Sequence, residues 1–144
     1  MDFKVNVDGA VCATQKEAGV AVIIMDAQGL VIGALRKKIK APLGAIEVEV
    51  KAYEAGVQFA KDMGIQEFIL EGDSLTISNS LAEHSLAPSV VAPILDGIVS
   101  SLQEFYCVVL SHVRPQDNRR IHLLAKHVLA LIIFLYGLKS ILIF

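Results

Sequence analysis

The sequence predicts an α/β domain in which helices pack on the faces of a mixed, five-stranded sheet. The predicted order of elements is β-β-β-α-β-α-α-β-α, and a meander followed by strands that alternate with helices is typical of such a sheet. A length of 144 residues fits one domain with a buried core. Hydrophobic residues make up 54% of the chain and charged residues 19%, which excludes a disordered protein.

The first three strands are predicted to form an antiparallel meander. Residues 3–7 alternate apolar with polar side chains, and this period of two is typical of a half-buried strand. A continuous apolar run at 19–25 predicts a central strand that is buried on both faces. Residues 26–29 begin with Asp and end with Gly, as in a type I turn, and the third strand follows at 30–35.

The second part of the chain is predicted to alternate helices with strands. In the first helix the apolar residues are spaced by three and four, as expected for one buried stripe, and Gly64 follows as a terminator. The predicted segments are a helix at 45–63, a strand at 68–70, helices at 75–81 and 90–102, a strand at 105–110, a loop at 114–118 and a last helix that includes 121–128.

The C-terminal segment is far more apolar than the rest of the chain. Residues 128–144 read VLALIIFLYGLKSILIF, and 14 of these 17 residues are hydrophobic. One interpretation is a membrane anchor, which Lys139 opposes because an intramembrane Lys costs about 3 kcal/mol. The interpretation we favour is a segment that packs on the body or exposes an interface. We therefore predict a domain at 1–130 and a hydrophobic tail at 131–144.

Charge and cysteine content narrow the class of protein. The net charge of −2 excludes a chain that is basic throughout and binds nucleic acid by charge alone. Cys12 and Cys107 are too few for a zinc cluster or a dense disulfide framework, and the N-terminus lacks the pattern of a secretory signal. We expect an intracellular monomer without a small-molecule cofactor, and the sequence does not distinguish the cytoplasm from the nucleus.

Three carboxylates fall at positions where they could meet. Asp8 ends the first strand, Asp73 follows the fourth, and Glu49 lies on or beside the apolar stripe of the first helix. Taken singly, they also fit a turn residue, a helix N-cap and a Glu at the stripe margin whose head reaches water. If the strands lie side by side, the three converge and repel one another unless they hold a cation. Oxygen ligands of this kind suit magnesium or manganese.

Four segments resemble the ribonuclease H superfamily, and specifically the plant, reverse-transcriptase-like branch of type 1 ribonuclease H. They are NVDGA at 6–10, EVKA at 49–52, EGDS at 71–74 and SHVRPQDNRRIHLLA at 111–125. The resemblance runs from about residue 3 to about residue 130. It implies a ribonuclease H-like fold for nearly the whole body of the protein.

The resemblance also implies an activity, the metal-dependent hydrolysis of the RNA strand of RNA–DNA hybrids. Asp8, Glu49 and Asp73 match the first three metal-binding acids, and His112 matches the histidine that assists proton transfer and product release. Up to two Mg²⁺ ions, or Mn²⁺, would stabilise the attacking water and the leaving oxygen. Asp8 would bridge the ions, and Glu49 would lie near the ribose 2′-OH.

The sequence departs from the family pattern at His122, which stands where the fourth acid would fall. A histidine can bind a metal, but it prefers softer ions and removes one negative charge. An ordinary histidine on a helix face is an equally good interpretation. Two functions therefore stay open: an active nuclease, and a catalytically weak or inactive ribonuclease H-like module that binds nucleic acid or a partner.

The predicted substrate-binding residues are Asn118, Arg114 and Arg119, of which Asn118 follows His112 at the family's spacing. Phosphate binding needs Lys or Arg, and neither occurs between Lys61 and Arg114. Aromatic residues make up only 6% of the chain, so no platform for base stacking is evident. We expect weak, salt-dependent binding of the hybrid.

Overall fold

A computed structural model describes residues 1–12, 14, 16–83, 89–123 and 141–143. The described elements are β1 (Phe3–Cys12), β2 (Glu17–Asp26), β3 (Val31–Ile39), α1 (Ala45–Asp62), β4 (Glu67–Gly72), α2 (Leu75–Glu83), α3 (Ala92–Leu102), β5 (Cys107–His112), α4 (described over 115–123) and β6 (Ile141–Ile143). The sheet order is β5-β4-β1-β2-β3-β6. The predicted mixed sheet of five strands is confirmed, and β6 adds a short sixth strand.

Strand pairing brings the functional positions to one edge of the sheet. The strands β1, β2 and β3 form the predicted antiparallel meander, in which Asp8 lies opposite Ala21 and Ala21 opposite Arg36. Both β1–β4 and β4–β5 are parallel pairs. The carboxyl ends of β1, β4 and β5 therefore meet at the same edge, where Asp8, Asp73 and His112 are located.

Helix α1 packs against the side of β1 and β2 that carries the apolar side chains. Val5, Val7, Tyr53 and Leu70 are fully buried in this core. The opposite face of β1 is also covered, because Asn6 is fully buried and bonded to α4. The prediction of a half-buried first strand is thus wrong at its centre, where both faces are buried.

Helix α4 begins earlier than predicted. The sequence predicts a loop at 114–118, but the helix starts at Pro115, and the Asn118 backbone N–H donates to the Arg114 carbonyl at 3.0 Å. Proline is well suited to the first turn of a helix, where its missing N–H has no partner to lose. Asn118 is therefore a helical residue.

The end of the tail adds an edge strand to the sheet. The segment Ile141–Ile143 pairs antiparallel with β3, with Leu142 opposite Ala34. Among the described residues, none of the helices is long and apolar enough to cross a membrane. The predicted boundary between residues 130 and 131 lies outside the described residues, so the division into domain and tail stays a prediction.

Candidate metal and catalytic site

Three carboxylates converge at the carboxyl edge of the central strands. Asp8, Glu49 and Asp73 each offer one oxygen, and these three atoms lie within 4.8 Å of one another. All three side chains are half-buried. Asp73 directly follows β4, Glu49 comes from the first turns of α1, and Asp8 lies within β1, two residues beyond the last residue that pairs with β4. The prediction that Asp8 ends the first strand is wrong, because β1 continues to Cys12 in its pairing with β2. The structure therefore brings together the three acids that the sequence singled out.

Gly9 allows α1 to approach β1 closely enough for Glu49 to reach Asp8. A Cβ atom at this position would lie 2.8 Å from the Val48 carbonyl oxygen. Real Cβ atoms essentially never come so close, so any larger residue would push the start of α1 outwards. The sequence alone indicates a turn or bulge residue here, and it carries no local signal for this packing role.

Tyr53 supports the turn that carries Asp73. A Cβ at Gly72 would lie 2.5 Å from the Tyr53 hydroxyl oxygen, so the tyrosine packs directly on the backbone beside Asp73. The same hydroxyl shares a hydrogen bond of 3.1 Å with Ser78 Oγ in α2. Burial raises the pKa of Tyr53 to about 12, so the phenol stays protonated. The sequence carries one signal for this contact, the glycine at position 72, because only a residue without a side chain fits beside the Tyr53 ring.

The carboxylate cluster is only partly compensated by positive charge. Burial, followed by the charge of Asp73, raises the pKa of Asp8 to about 6 and that of Glu49 to about 8. The Gly9 backbone N–H and the Arg119 charge lower the pKa of Asp8 in part. Glu49 Oε2 is buried and has no hydrogen-bond partner among the residues that the structure describes. A buried acceptor in a group of acids fits a divalent cation, which would replace the proton held by Glu49.

His112 lies next to the cluster at the end of β5. Its Nε2 atom is 3.1 Å from the Asp73 carbonyl oxygen, and the residue pairs with Gly72 across the parallel strands. Because a carbonyl can only accept, Nε2 donates, and Nδ1 is the nitrogen left to accept a proton. The side chain is exposed to solvent. Its role in proton transfer stays a prediction.

A second group of polar residues lies beside the carboxylate cluster, two residues earlier on β1 and β4. We call it the buried polar chain, and it consists of Lys4, Glu71, Asn6 and His122. Asn6 Nδ2 donates to Glu71 Oε1 at 2.9 Å, and Lys4 Nζ lies 3.7 Å from Glu71 Oε2. Since the amide nitrogen faces Glu71, Asn6 Oδ1 accepts from His122 Nε2.

His122 therefore bonds to Asn6 in this structure. Burial lowers the pKa of His122 to about 4, so the ring is neutral at pH 7. The group of potential metal ligands found among the described residues contains Asp8, Glu49 and Asp73 and does not include His122. Its role as a metal ligand stays a prediction. Sequence reasoning missed Asn6 and Glu71, although two polar residues in register on buried strands were the available signal.

The three predicted substrate-binding residues differ in exposure. Asn118 is fully buried, and its Nδ2 atom donates to the Val7 carbonyl at 3.3 Å, which ties α4 to β1. Arg114 is exposed, and its Nε donates to Asp117 at 3.0 Å. Arg119 is exposed and close enough to lower the pKa of Asp8. Binding of substrate by these residues stays a prediction.

The strand order, the helices on its faces and the convergent carboxylates define a domain of the ribonuclease H-like class. The sequence matches the model of the reverse transcriptase-like family over residues 6–128, so the chain belongs to this family and to the ribonuclease H superfamily. The comparison with curated proteins gives no match.

Solved structures of several organisms share this fold. Ribonuclease H1 of the halophilic archaeon Halobacterium salinarum NRC-1 is 21% identical, with a TM-score of 0.71 over 82% of this chain and 89% of that one. LC11-RNase H1, isolated from compost by a metagenomic approach and solved with an RNA/DNA hybrid, is 17% identical, with a TM-score of 0.73 over 82% and 89%. The N-terminal RNase H domain of a Mycobacterium tuberculosis protein is 15% identical, with a TM-score of 0.72 over 82% and 86%.

Proposed function

We propose that the protein is a nuclease of the ribonuclease H type that hydrolyses the RNA strand of RNA–DNA hybrids with a divalent cation. The observation that supports this most directly is the convergence of Asp8, Glu49 and Asp73, whose charges are only partly compensated. The family match and the ribonuclease H-like fold add support. LC11-RNase H1, which shares the fold, was solved with an RNA/DNA hybrid.

Asp8, Glu49 and Asp73 would hold Mg²⁺, or Mn²⁺ in its place, because hard cations prefer carboxylate oxygens. When bound, the cation supplies an activated water and stabilises charge on the phosphate. The chain's part begins with Glu49, which gives up the proton that its pKa of about 8 otherwise retains at pH 7. Asp8, at the centre of the sheet, would be one of the residues that hold the cation.

The remaining residues act on protons and phosphates. His112 would exchange protons through Nδ1, which the Asp73 carbonyl leaves free, and its exposure gives the proton a path to solvent. Arg114 and Arg119 are exposed cations on the α4 side of the cluster and would bind phosphate oxygens of the substrate.

The test is cleavage of a labelled RNA–DNA hybrid by the full-length chain with Mg²⁺ and with Mn²⁺. We expect cleavage by the wild type and none by Asp8→Asn, which keeps the shape of the side chain and removes its charge. Asp2→Asn, an exposed residue before β1, is the matched control and should cleave as the wild type does. Absence of cleavage with both metals would refute the nuclease.

A second candidate function is a ribonuclease H-like module that binds nucleic acid or a partner without catalysis. It is favoured by His122, which bonds to Asn6 at the position of the fourth acid. Calorimetric titration with Mn²⁺ separates the two functions. Two sites, both lost in Asp8→Asn, support the nuclease, whereas one weak site or none supports the module.

A further inference from the structure

We propose that two copies of this chain form a twofold symmetric dimer in which their β5 strands pair antiparallel at the edge of the sheet. We call the surface the β5 edge and define it by residues 106–111. The dimer is independent of the proposed nuclease activity, because the candidate metal ligands lie outside the β5 edge. The sequence predicts a monomer, so the state of association in solution decides between the two.

The two edges of the sheet differ in how they are protected against pairing with another chain. At one edge β6 covers β3 over Gly33–Leu35, and the next three residues of β3 are the exposed cations Arg36, Lys37 and Lys38. Charged side chains, Lys above all, commonly keep an edge strand from pairing with a second chain. The other edge is β5, whose one neighbour in the described part of the sheet is β4.

The β5 edge has the composition of a strand that is ready to pair. Residues 105–111 read FYCVVLS and contain no charged residue, proline or glycine. Aromatic and β-branched residues of this kind favour strands. Tyr106 is 83% exposed and Val109 is 48% exposed. An uncharged, exposed edge with apolar side chains is a template for the addition of another strand.

The hydrogen bonds to β4 show which residues of β5 direct their backbone outwards. The Cys107 N–H donates to the Gln66 carbonyl at 3.2 Å, and the Val113 N–H donates to the Gly72 carbonyl at 3.0 Å. Successive residues of a strand point their N–H and C=O groups to alternate sides, so the odd-numbered residues bond to β4. The even-numbered residues of the β5 edge therefore direct theirs away from β4, where an added strand would bond to them.

A second copy of β5 fits this edge because antiparallel pairing about Val109 is self-complementary. Val108 of one copy then lies opposite Leu110 of the other, and the outward N–H and C=O groups of these two residues bond to each other. The same surface is used by both copies, as twofold symmetry requires. Since residues 105–111 are uncharged, the strand pair opposes no like charges.

Charge at the two ends of β5 favours the antiparallel direction. Glu104 stands five residues before Val109, and Arg114 stands five residues after it. Antiparallel pairing about Val109 therefore brings the acid of each copy towards the base of the other. The side chains of Glu104 and Arg114 are 54% and 77% exposed, and each has an exposed partner within its own chain, Lys61 and Asp117 respectively. Such surface pairs are weak and can extend to a second copy.

An apolar groove beside β5 adds side-chain packing to the backbone pairing. It has a volume of about 500 Å³ and lies between α2, α3 and β5. Leu81 of α2, Val99 of α3, and Val108 and Leu110 of β5 contribute to its lining. Directly opposed residues of antiparallel strands project from the same face of a sheet. Val108 and Leu110 of the second copy would therefore project on the side of this groove and bury apolar surface there.

The first test is sedimentation equilibrium of the full-length chain from low to high micromolar concentration. We expect a concentration-dependent dimer in the wild type. Val109→Lys opposes two ammonium groups at the twofold axis and should weaken the dimer roughly tenfold or more. Leu30→Lys, at an exposed apolar position between β2 and β3, is the matched control and should dimerise as the wild type does. Urea midpoints at low concentration, equal in all three proteins, check that the fold is kept.

Disulfide formation tests the register of the pair. Opposed residues of an antiparallel pair that are not hydrogen-bonded have Cα atoms about 4.5 Å apart, within the range of a disulfide. In a Cys107→Ser background, Val109→Cys should form a covalent dimer on mild oxidation far more readily than Leu30→Cys or the background alone.

Three results would overturn the proposed dimer. The first is a wild type that is monomeric at every concentration, and the second is a dimer that Val109→Lys leaves intact, which would place the contact on another surface. The third is a dimer in which Val109→Cys is cross-linked no more readily than Leu30→Cys, because the two β5 strands would then not be opposed at Val109.

Discussion

The parallel strands β1 and β4 carry two polar groups of opposite character, only two residues apart on each strand. In the buried polar chain, Asn6 and Glu71 lie in register, and the contacts between them match donors to acceptors. In the carboxylate cluster, Asp8 and Asp73 meet Glu49, and all three side chains offer acceptors. Within the described part of the chain, Glu49 Oε2 has no hydrogen-bond partner.

The two groups differ in whether their polar atoms have bonding partners, and the more deeply buried group is the one that has them. A buried polar atom costs free energy unless it is bonded, and a buried charge costs more. Glu71 is almost fully buried, but Asn6 and Lys4 supply its partners. The carboxylates are less buried and still have two raised pKa values. The carboxylate cluster therefore favours the binding of a cation, which would neutralise its negative charge.

The largest loss of stability is expected from a substitution in the buried polar chain. Asn6→Ala removes the donor to Glu71 and the acceptor for His122 at a fully buried position. We expect the free energy of unfolding to fall by about 3 kcal/mol. Urea unfolding measures this as a lower midpoint with an unchanged slope. Asn79→Ala, an exposed position in α2, should stay within about 0.5 kcal/mol of the wild type. Equal midpoints for the two variants would contradict the structural role.

A smaller effect is expected from separating the carboxylates. Gly9→Ala places a methyl group against the Val48 carbonyl, so the start of α1 must shift and carry Glu49 away from Asp8. We expect a loss of about 2 kcal/mol in stability and a clear weakening of Mn²⁺ binding by calorimetry. Gly97→Ala in α3 has open space around the new methyl group and should be neutral or slightly stabilising. Unchanged Mn²⁺ affinity in Gly9→Ala would show that close approach at Gly9 is not needed.

Local patterns in the sequence predicted most of the fold. The apolar run at 19–25 and the three-and-four spacing at 45–63 identified β2 and α1, because burial of one or both faces imposes a period that can be read directly. The start of α4 was missed because Pro115 was interpreted as a loop residue, although proline also begins helices. The strand β6 was missed because edge pairing of a short apolar segment has no local signature.

The residues of the candidate site were only partly predictable from the sequence. The convergence of Asp8, Glu49 and Asp73 could be foreseen, because one residue follows a strand, one lies on a helix face and one lies on the neighbouring strand, although β1 extends four residues beyond Asp8. The contact between Asn6 and His122 could not be predicted, because alternation along β1 indicates only that the Asn6 side chain faces away from Val5 and Val7. Which helix covers that face, and that it presents His122, depends on packing between segments more than one hundred residues apart.

A change confined to the carboxylate cluster is expected to stabilise the metal-free protein. The pKa of Glu49 is raised from 4.5 to about 8 in the folded state, so the folded protein loses stability as the pH rises through this window. In EDTA at pH 8, Glu49→Gln should gain about 1 to 2 kcal/mol, a value reduced by solvent screening. At pH 4 the two proteins should be equal. Glu54→Gln, an exposed residue of the same helix, is the control and should change little at either pH.

Added Mn²⁺ sharpens this test. The cation should raise the unfolding midpoint of the wild type at pH 8 and raise that of Glu49→Gln much less, because a ligand stabilises only the folded state that binds it. A Glu49→Gln protein that is no more stable than the wild type in EDTA would show that the cluster is compensated by another group.

The smallest predicted effect is the change with pH in the stability that His122 contributes, which differs in sign from that of the carboxylate cluster. Burial lowers the pKa of His122 from 6.5 to about 4, so its contribution to stability is complete above pH 6.5 and is lost as the pH falls towards 4. The carboxylates have the opposite slope. His122→Gln keeps a donor for Asn6 Oδ1 but does not titrate, so it should match the wild type at pH 7 and exceed its stability by about 1 kcal/mol at pH 5. Urea midpoints at both values of pH measure the difference, and parallel profiles would mean that His122 is equally easy to protonate in the folded and unfolded chain.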